Sequence, residues 1–497
     1  MLIKKDSPLL TSRRSVLKAA TGCSMMGSVS FASAFLNLQA TQALAAGTAG
    51  SDSKALVCIF LNGGNDSYNM LAPKGAEYAD YNTARGTTTD GGIAIAESGV
   101  DSLLDISDPS GRTFGLHPRL NSEVAGLNSP TTGGEGIRGL YNSGKLAMIA
   151  NVGSLVEPTT KVDYQARLNL PVGLFSHADL QRHWMTSVPQ DRSHLNGWGG
   201  KMADILRAGN DPSVISMNIS LSGDNKFQTG RDVSPYSIST SSSGGATMIS
   251  GYSVDPAEAS NTRYRAFNQI RRDLLGQTYE NLLADTLAIT SQQSMQAALE
   301  FNNAVSGVTI NTPFDSYSFS QRLKRVAQVI GARDSGLGQR RQVFFVQLGG
   351  FDNHANLITA HADNMERLSI GLASFYQSLV ELGVENDVVT FTISDFARTL
   401  SSNGQGSDHA WGGNHIVMGG PIDGGRICGT YPTSLVTPTH DGASIDLGRG
   451  RLIPTTSVDQ YNAELARWFG VGESDLQDVL PNLANFSGSP ALDLFAT

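Results

Sequence analysis

The stretch GSDHAWGGNH, residues 406–415, holds one aspartate and two histidines in a chain with only nine histidines among 497 residues. Similar side chains recur in three other short polar segments. Asp66 lies in NGGND, Asp352 and His354 lie in GGFDNH, and Asp395 and Arg398 lie in SDFART. With Asp408, His409 and His415 they make a set of carboxylates and imidazoles that contains no cysteine. Such a hard-to-borderline donor set suits a divalent cation: zinc, manganese, magnesium or calcium. A single aspartate after a strand is ordinarily a turn former or a helix cap, and Asp352 could cap a helix starting near Leu357. Capping does not explain D-x-H in one segment together with D-H-x5-H in another.

A nucleophile is less obvious. Ser176 precedes His177 in GLFSHADLQRHW, where Ala178, Leu180 and Trp184 have helical spacing. A serine at that helix start could attack an ester whose oxyanion is held by backbone N–H groups and the helix dipole. It could equally be a plain N-cap. Arg398 has the planar fork that binds a tetrahedral anion, or it could pair with a neighbouring acid.

These residues need elements that bring them together. Lys54–Leu61, Lys145–Val152, Gln342–Leu348 and Asp387–Ile393 are short apolar runs without alternation, and each ends in a polar or Gly-rich segment. Runs of this kind, separated by helical stretches, predict a mostly parallel sheet covered on both faces: an α/β fold, a three-layer α/β/α sandwich. In such a sheet, ligands bind beyond the carboxyl ends of the strands. Helices are expected over Ser318–Ala332 and Leu357–Leu382. A mostly helical insertion is expected over Arg263–Ala304, around 255–310, and it could cover the site. Asp232–Asp255 reads as a surface loop, and the tail 461–483 as helix, turn and Pro-stopped helix.

The first 45 residues read as a twin-arginine signal peptide. Arg13-Arg14 are followed by a weakly apolar Ala/Ser/Gly-rich run and an Ala43-Leu44-Ala45 cleavage site. That predicts a periplasmic or secreted protein handled by the twin-arginine export machinery, with residues 46–497 as one domain. The whole chain has a net charge of −9. The leader holds five Lys/Arg and one Asp, so the remainder carries −13. This acidity argues against nucleic acid and anionic membrane surfaces as partners. No run after the leader is long and apolar enough to span a membrane. Cys58 and Cys428 sit in apolar surroundings and read as two buried thiols.

FLNGGNDSYNMLAP (60–73), LHP (116–118), SHADLQRHW (176–184), GGFDNH, SDFARTL (394–400), GSDHAWGGNH and TSVDQYNAELARWFG (456–470) together resemble the bacterial family called domain of unknown function 1501. That family is similar to the alkaline phosphatase and sulfatase superfamily. The resemblance implies an alkaline-phosphatase-like sandwich with Ser176 as nucleophile. It also implies cation ligands drawn from Asp66, Asp352, His354, Asp395, Asp408, His409 and His415. The spacing departs from the superfamily pattern. D-x-H replaces D-x-x-x-H, and Asp408-His409 follows Asp395 by 13 residues, so either aspartate could hold the ligand position. The family also suggests a co-encoded exported protein as a partner.

The expectation is an exported, metal-dependent hydrolase of small phosphate or sulfate esters, with Arg398 on the anionic group. A non-catalytic exported binding or assembly protein that keeps the fold, with a structural metal, is the alternative.

Overall fold

The run KALVCIFLN forms strand β1, Lys54–Asn62. It lacks polar alternation because both its faces are covered. Ala55, Val57, Ile59 and Leu61 enter one hydrophobic core, and Leu56, Cys58 and Phe60 enter another. Successive strand residues point to opposite faces, so the sheet must lie between two packed layers. The structure, a computed structural model, describes residues 53–210, 215–240, 245–246, 262–436 and 445–496. The leader, and most of the 232–255 loop, lie outside the described residues.

Strands β2 (Leu71–Pro73), β3 (Leu104–Ser107) and β4 (Thr113–Leu116) form a small antiparallel sheet in the order β2-β4-β3. The remaining strands join β1: β5 (Leu146–Gly153), β6 (Asn218–Ser220), β7 (Tyr236–Ser237), β8 (Arg341–Gly349), β9 (Val388–Ser394), β10 (Gly413–Gly419), β11 (Ile427–Cys428) and β12 (Thr456–Ser457). Their order is β11-β5-β10-β9-β1-β8-β6-β7, with β12 beside β5. Every pairing is parallel except those of β10, which runs against both β5 and β9. The four apolar runs read as strands are β1, β5, β8 and β9.

Seven helices matter here: α1 (His177–Thr186), α2 (Trp198–Leu206), α3 (Thr262–Leu275), α4 (Leu282–Ser306), α5 (Ser318–Gly331), α6 (Leu357–Leu382) and α7 (Val458–Phe469). Phe319, Leu323 and Val326 of α5, with Leu368, Leu372 and Phe375 of α6, cover one face. Trp184 of α1, Trp198 and Met202 of α2, and Tyr461 and Leu465 of α7 cover the other. The three-layer α/β/α arrangement with a mostly parallel sheet is thus the observed fold. The expected helical insertion is the pair α3 and α4. Its buried residue Phe301 packs on Tyr236 of β7, at a ring separation of 5.8 Å, so it anchors at that sheet edge. Cys58 and Cys428 are both buried and unbridged. No helix among the described residues is long and apolar enough to cross a membrane.

Because β1, β8 and β9 run in parallel, Asn62, Gly349 and Ser394 end on one edge. Residues Gly63–Asp66, Gly350–His354 and Asp395–Thr399 leave from there. The 406–415 stretch is only in part a loop. Its first part doubles back beside 397–399, where Ala410 N donates to Ala397 O at 2.8 Å and Thr399 N donates to Asp408 O at 2.9 Å. From Gly413 onward it becomes β10.

Candidate metal centre

Two glycines let these segments converge. Gly63 has φ +122°, and a Cβ there would lie 2.4 Å from Asp352 N. At Gly406 a Cβ would lie 2.4 Å from the carbonyl of Asn353. Only glycine permits both approaches, and the Asp352–His354 segment is held between them.

His177, in the first turn of α1, meets Asp352 from the end of β8 and His409 from the returning segment. One ligand atom from each lies within 4.8 Å of the others. His177 Nε2 and His409 Nε2 are each 3.6 Å from Asp352 Oδ1. His354 Nε2 is 3.2 Å from the same oxygen. The Phe396 ring backs the group, with centroids 4.7 Å from His177 and 4.5 Å from His409. A cavity of about 390 Å³, lined by Asn62, Gly63, His177, Gln181, Gly350 and Asp352, opens beside it.

Charge at the site is set by its partners. The hydrogen bond to Asp395, with Nδ1 and Oδ2 2.5 Å apart, raises the His177 pKa against the effect of burial. Burial lowers that of His409, partly opposed by the Phe175 carbonyl. Burial alone would raise Asp352, but the Arg398 guanidinium holds it below the usual carboxylate range. Burial also works against Asp408, yet hydrogen bonds from Asn403, Arg449 and His354 bring it down to about 2.

A divalent cation fits this donor set. His177 Nε2 is buried and has no hydrogen-bond partner, although Nδ1 of the same ring is bonded. An imidazole held by a carboxylate on one nitrogen, with a bare second nitrogen facing other ligand atoms, has the form of a metal-binding histidine.

The other residues singled out in the sequence fall elsewhere. Asp66 is fully buried, and Arg85 Nη2 lies 2.5 Å from its Oδ2. Burial raises its pKa and Arg85 opposes the rise. Asp395 is buried behind His177, where it also accepts from Gly63 N at 3.1 Å and Gln181 Nε2 at 2.9 Å. Arg398 does not face the cavity as an anion clamp would. Its guanidinium is fully buried and donates to the carbonyls of Gly63, Gly64 and Ser407 and to Asp352. Those four bonds tie three segments together, which is a structural task. His415 is not among the clustered imidazoles. It is buried on β10, its ring 4.5 Å from that of Trp184, and burial holds its pKa at about 3. Ser176 is the N-cap position of α1, half-buried, but its side chain makes no cap hydrogen bond.

Sequence reasoning did not single out His177 as a ligand. The available signal was the spacing of His177 and Gln181, which puts both on one face of α1 and both against Asp395. Arg449, whose Nη1 is 2.6 Å from Asp408, carried no such signal.

Residues 53–480 match the family described as "Protein of unknown function (DUF1501)". The chain belongs to that family. No curated protein matches it. Among solved structures, this DUF1501 chain is similar to the lipoteichoic acid synthase LtaP from Listeria monocytogenes. The identity is 8%, covering 82% of this chain and 75% of that one, with a TM-score of 0.30. It is also similar to a mutant of the alkaline phosphatase PafA, at 11% identity over 71% of this chain and 64% of the other, with a TM-score of 0.25.

Proposed function

We propose that this protein is an exported hydrolase of phosphate or sulfate esters that works with a divalent cation. The observation that carries the reading is the meeting of His177, Asp352 and His409 beside an open cavity at the ligand edge of the sheet. Alkaline-phosphatase-like chemistry is what such a site would support. A bound cation supplies positive charge for the transferring phosphoryl or sulfuryl group. The protein's residues hold and orient the substrate around it. The Asn62 amide lines the cavity and can donate to ester oxygens, held there by a hydrogen bond from Gln181 Nε2 to its Oδ1 at 3.1 Å.

Ser176 stands at the start of α1 and is the candidate nucleophile in this reading. Ser176 is not among the residues that line the cavity, which favours a second possibility, in which water attacks and Ser176 has no part in the chemistry. Comparing Ser176→Ala with the parent protein distinguishes the two: serine attack requires turnover to vanish with cation content intact.

The test of the function is cation content by plasma mass spectrometry on protein exported through its own leader, with assays on aryl phosphate and aryl sulfate esters. A bound zinc, manganese, magnesium or calcium ion and ester turnover, both lost in His177→Ala, are expected. Protein without cation that has never met a chelator would overturn the hydrolase reading and leave the binding-protein alternative.

A further inference from the structure

Among the described residues, fourteen large apolar side chains are exposed, and seven of them fall between Phe267 and Ile289. That stretch is the outer part of the helical insertion: α3, the turn 276–281 and the first turns of α4. The turn is well defined. Tyr279 N donates to Asp285 Oδ1 at 3.1 Å, and Tyr279 Oη donates to the Leu274 carbonyl at 2.7 Å. Asn281 Oδ1 caps α4 by accepting from Leu283 N and Ala284 N. The two helices contact each other as an antiparallel hairpin. Beyond that contact α3 hides little of itself, since only Asn268 is buried from Arg265 to Leu275. A lone helix of 14 residues is marginal in water, so the hairpin gains from a partner.

The exposed side chains are patterned. On α3, Phe267, Ile270 and Leu274 are spaced i, i+3, i+7, which is a heptad seam. On α4, Leu283 and Leu287 are spaced i, i+4. Their stripe continues along α4 through Ala298, Phe301 and Val305, which are buried in the protein's own core. Asn268 and Ala288 are the buried residues of the outer turns and mark the sides on which the helices meet. At about 100° per residue, each stripe lies roughly 120° round from that side, in the same sense. In an antiparallel pair this puts both stripes on one face of the hairpin. Leu282 and Ile289 come out on the opposite face. The five residues of the shared face are between 50% and 80% exposed.

A stripe this narrow is what one helix presents to another. Fully burying an apolar side chain hides roughly 60–120 Å², so the five together offer roughly 200–400 Å². A dimer interface at the low end of the stable range, ~1,200 Å² in total, needs ~350 Å² of apolar surface from each partner. Charge agrees. The helix α3 holds four arginines and one aspartate, a net +3, in a chain whose net charge is −9. Two acidic copies that meet here therefore repel less than they would elsewhere. We infer that the face formed by Phe267, Ile270, Leu274, Leu283 and Leu287 docks against the same face of a second copy, making a two-fold dimer through four helices. The insertion anchors on β7, which β6 separates from β8, so this face is built at the sheet edge and not on the strand ends that carry the cation site.

The experiment is analytical ultracentrifugation of the full-length mature protein across the micromolar range, with melting temperatures measured on the same samples. The parent is expected to show a monomer–dimer equilibrium. Leu283→Glu combined with Leu287→Glu is expected to weaken it more than ~100-fold, because a two-fold interface loses each side chain twice. Phe267→Ser, on the other helix, is a milder change expected to weaken it in the same direction, and it covers the case in which the double variant fails to fold. Melting temperatures of the dilute, monomeric variants are expected to match the dilute parent, since the replaced side chains are exposed. Leu282→Glu combined with Ile289→Glu adds the same charge to the opposite face and is expected to leave association intact. A parent that stays monomeric at every concentration would overturn the inference. So would a dimer that survives the Leu283 and Leu287 changes, or one lost equally in the opposite-face variant. Two forms of the monomeric outcome name another occupant. Binding of the parent to phosphatidylglycerol vesicles, lost with Leu283 and Leu287, would assign the face to a lipid surface. A lowered melting temperature in the same variants would assign it to another segment of this chain.

Discussion

Replacing Arg85 by methionine should destabilise the protein in a way that depends on pH. Arg85 and Asp66 form an ion pair whose side chains are both wholly buried, with Nη2 and Oδ2 2.5 Å apart. Methionine retains much of the volume but leaves the carboxylate without its counter-charge. Breaking a buried pair from one side costs ~3–5 kcal/mol, because the remaining charge stays in a poorly solvating interior. Protonation limits that cost. An unfolded aspartate titrates near 3.9, so keeping Asp66 neutral costs ~4 kcal/mol at pH 7 and ~1.5 kcal/mol at pH 5. The sign follows from linkage. The folded variant holds a proton that the unfolded chain releases above pH ~4, so stability falls as pH rises through this window. Urea unfolding at the two pH values measures the effect. The expected loss relative to the parent is at most ~4 kcal/mol at pH 7 and clearly smaller at pH 5. Adding Asp66→Leu should recover most of it, since an apolar pair leaves no buried charge. An equal loss at both pH values, or one below ~1 kcal/mol at pH 7, would refute the reasoning.

Two further buried groups have pH signatures of opposite sign. Asp459, in the first turn of α7, is pushed by burial to about 8, and both its carboxylate oxygens are buried without a hydrogen-bond partner. Its folded pKa lies above the unfolded one, so its contribution worsens as pH rises from ~4 to ~8. Asp459→Asn should therefore raise the melting temperature more at pH 8 than at pH 5, and an identical shift at both would count against the assignment. His415 is the reverse case, since burial holds its imidazole at about 3. Stability is lost as pH falls from ~6.5 towards 3, by ~2–3 kcal/mol at pH 4.5. Acid titration of His415→Phe should show a shallower decline than the parent, with cation content unchanged; loss of cation would place His415 back among the ligands.

Much of the architecture was written in local pattern. Non-alternating apolar runs located β1, β5, β8 and β9, because strands buried on both faces must be apolar at every position. The 3.6-residue period located α5 and α6, the latter over the full Leu357–Leu382 span. From those elements alone followed the sheet's covered faces and the edge where acids and imidazoles gather. Which of those side chains face one another was settled only by the folded chain. His177 meets Asp395 across 218 residues of sequence. Asp66 sits beside the same strand end, but its carboxylate is taken by Arg85 in the interior. Gly413, Asn414 and His415 lack apolar bulk, so their local pattern does not mark a strand. Pairing with β5 makes them strand, and the pleat turns His415 into the core against Trp184. Periodicity is a property of neighbours along the chain, so sequence reports it directly. Ligand geometry depends on rotamers and on partners brought close by long-range packing, and no spacing along the chain encodes those distances.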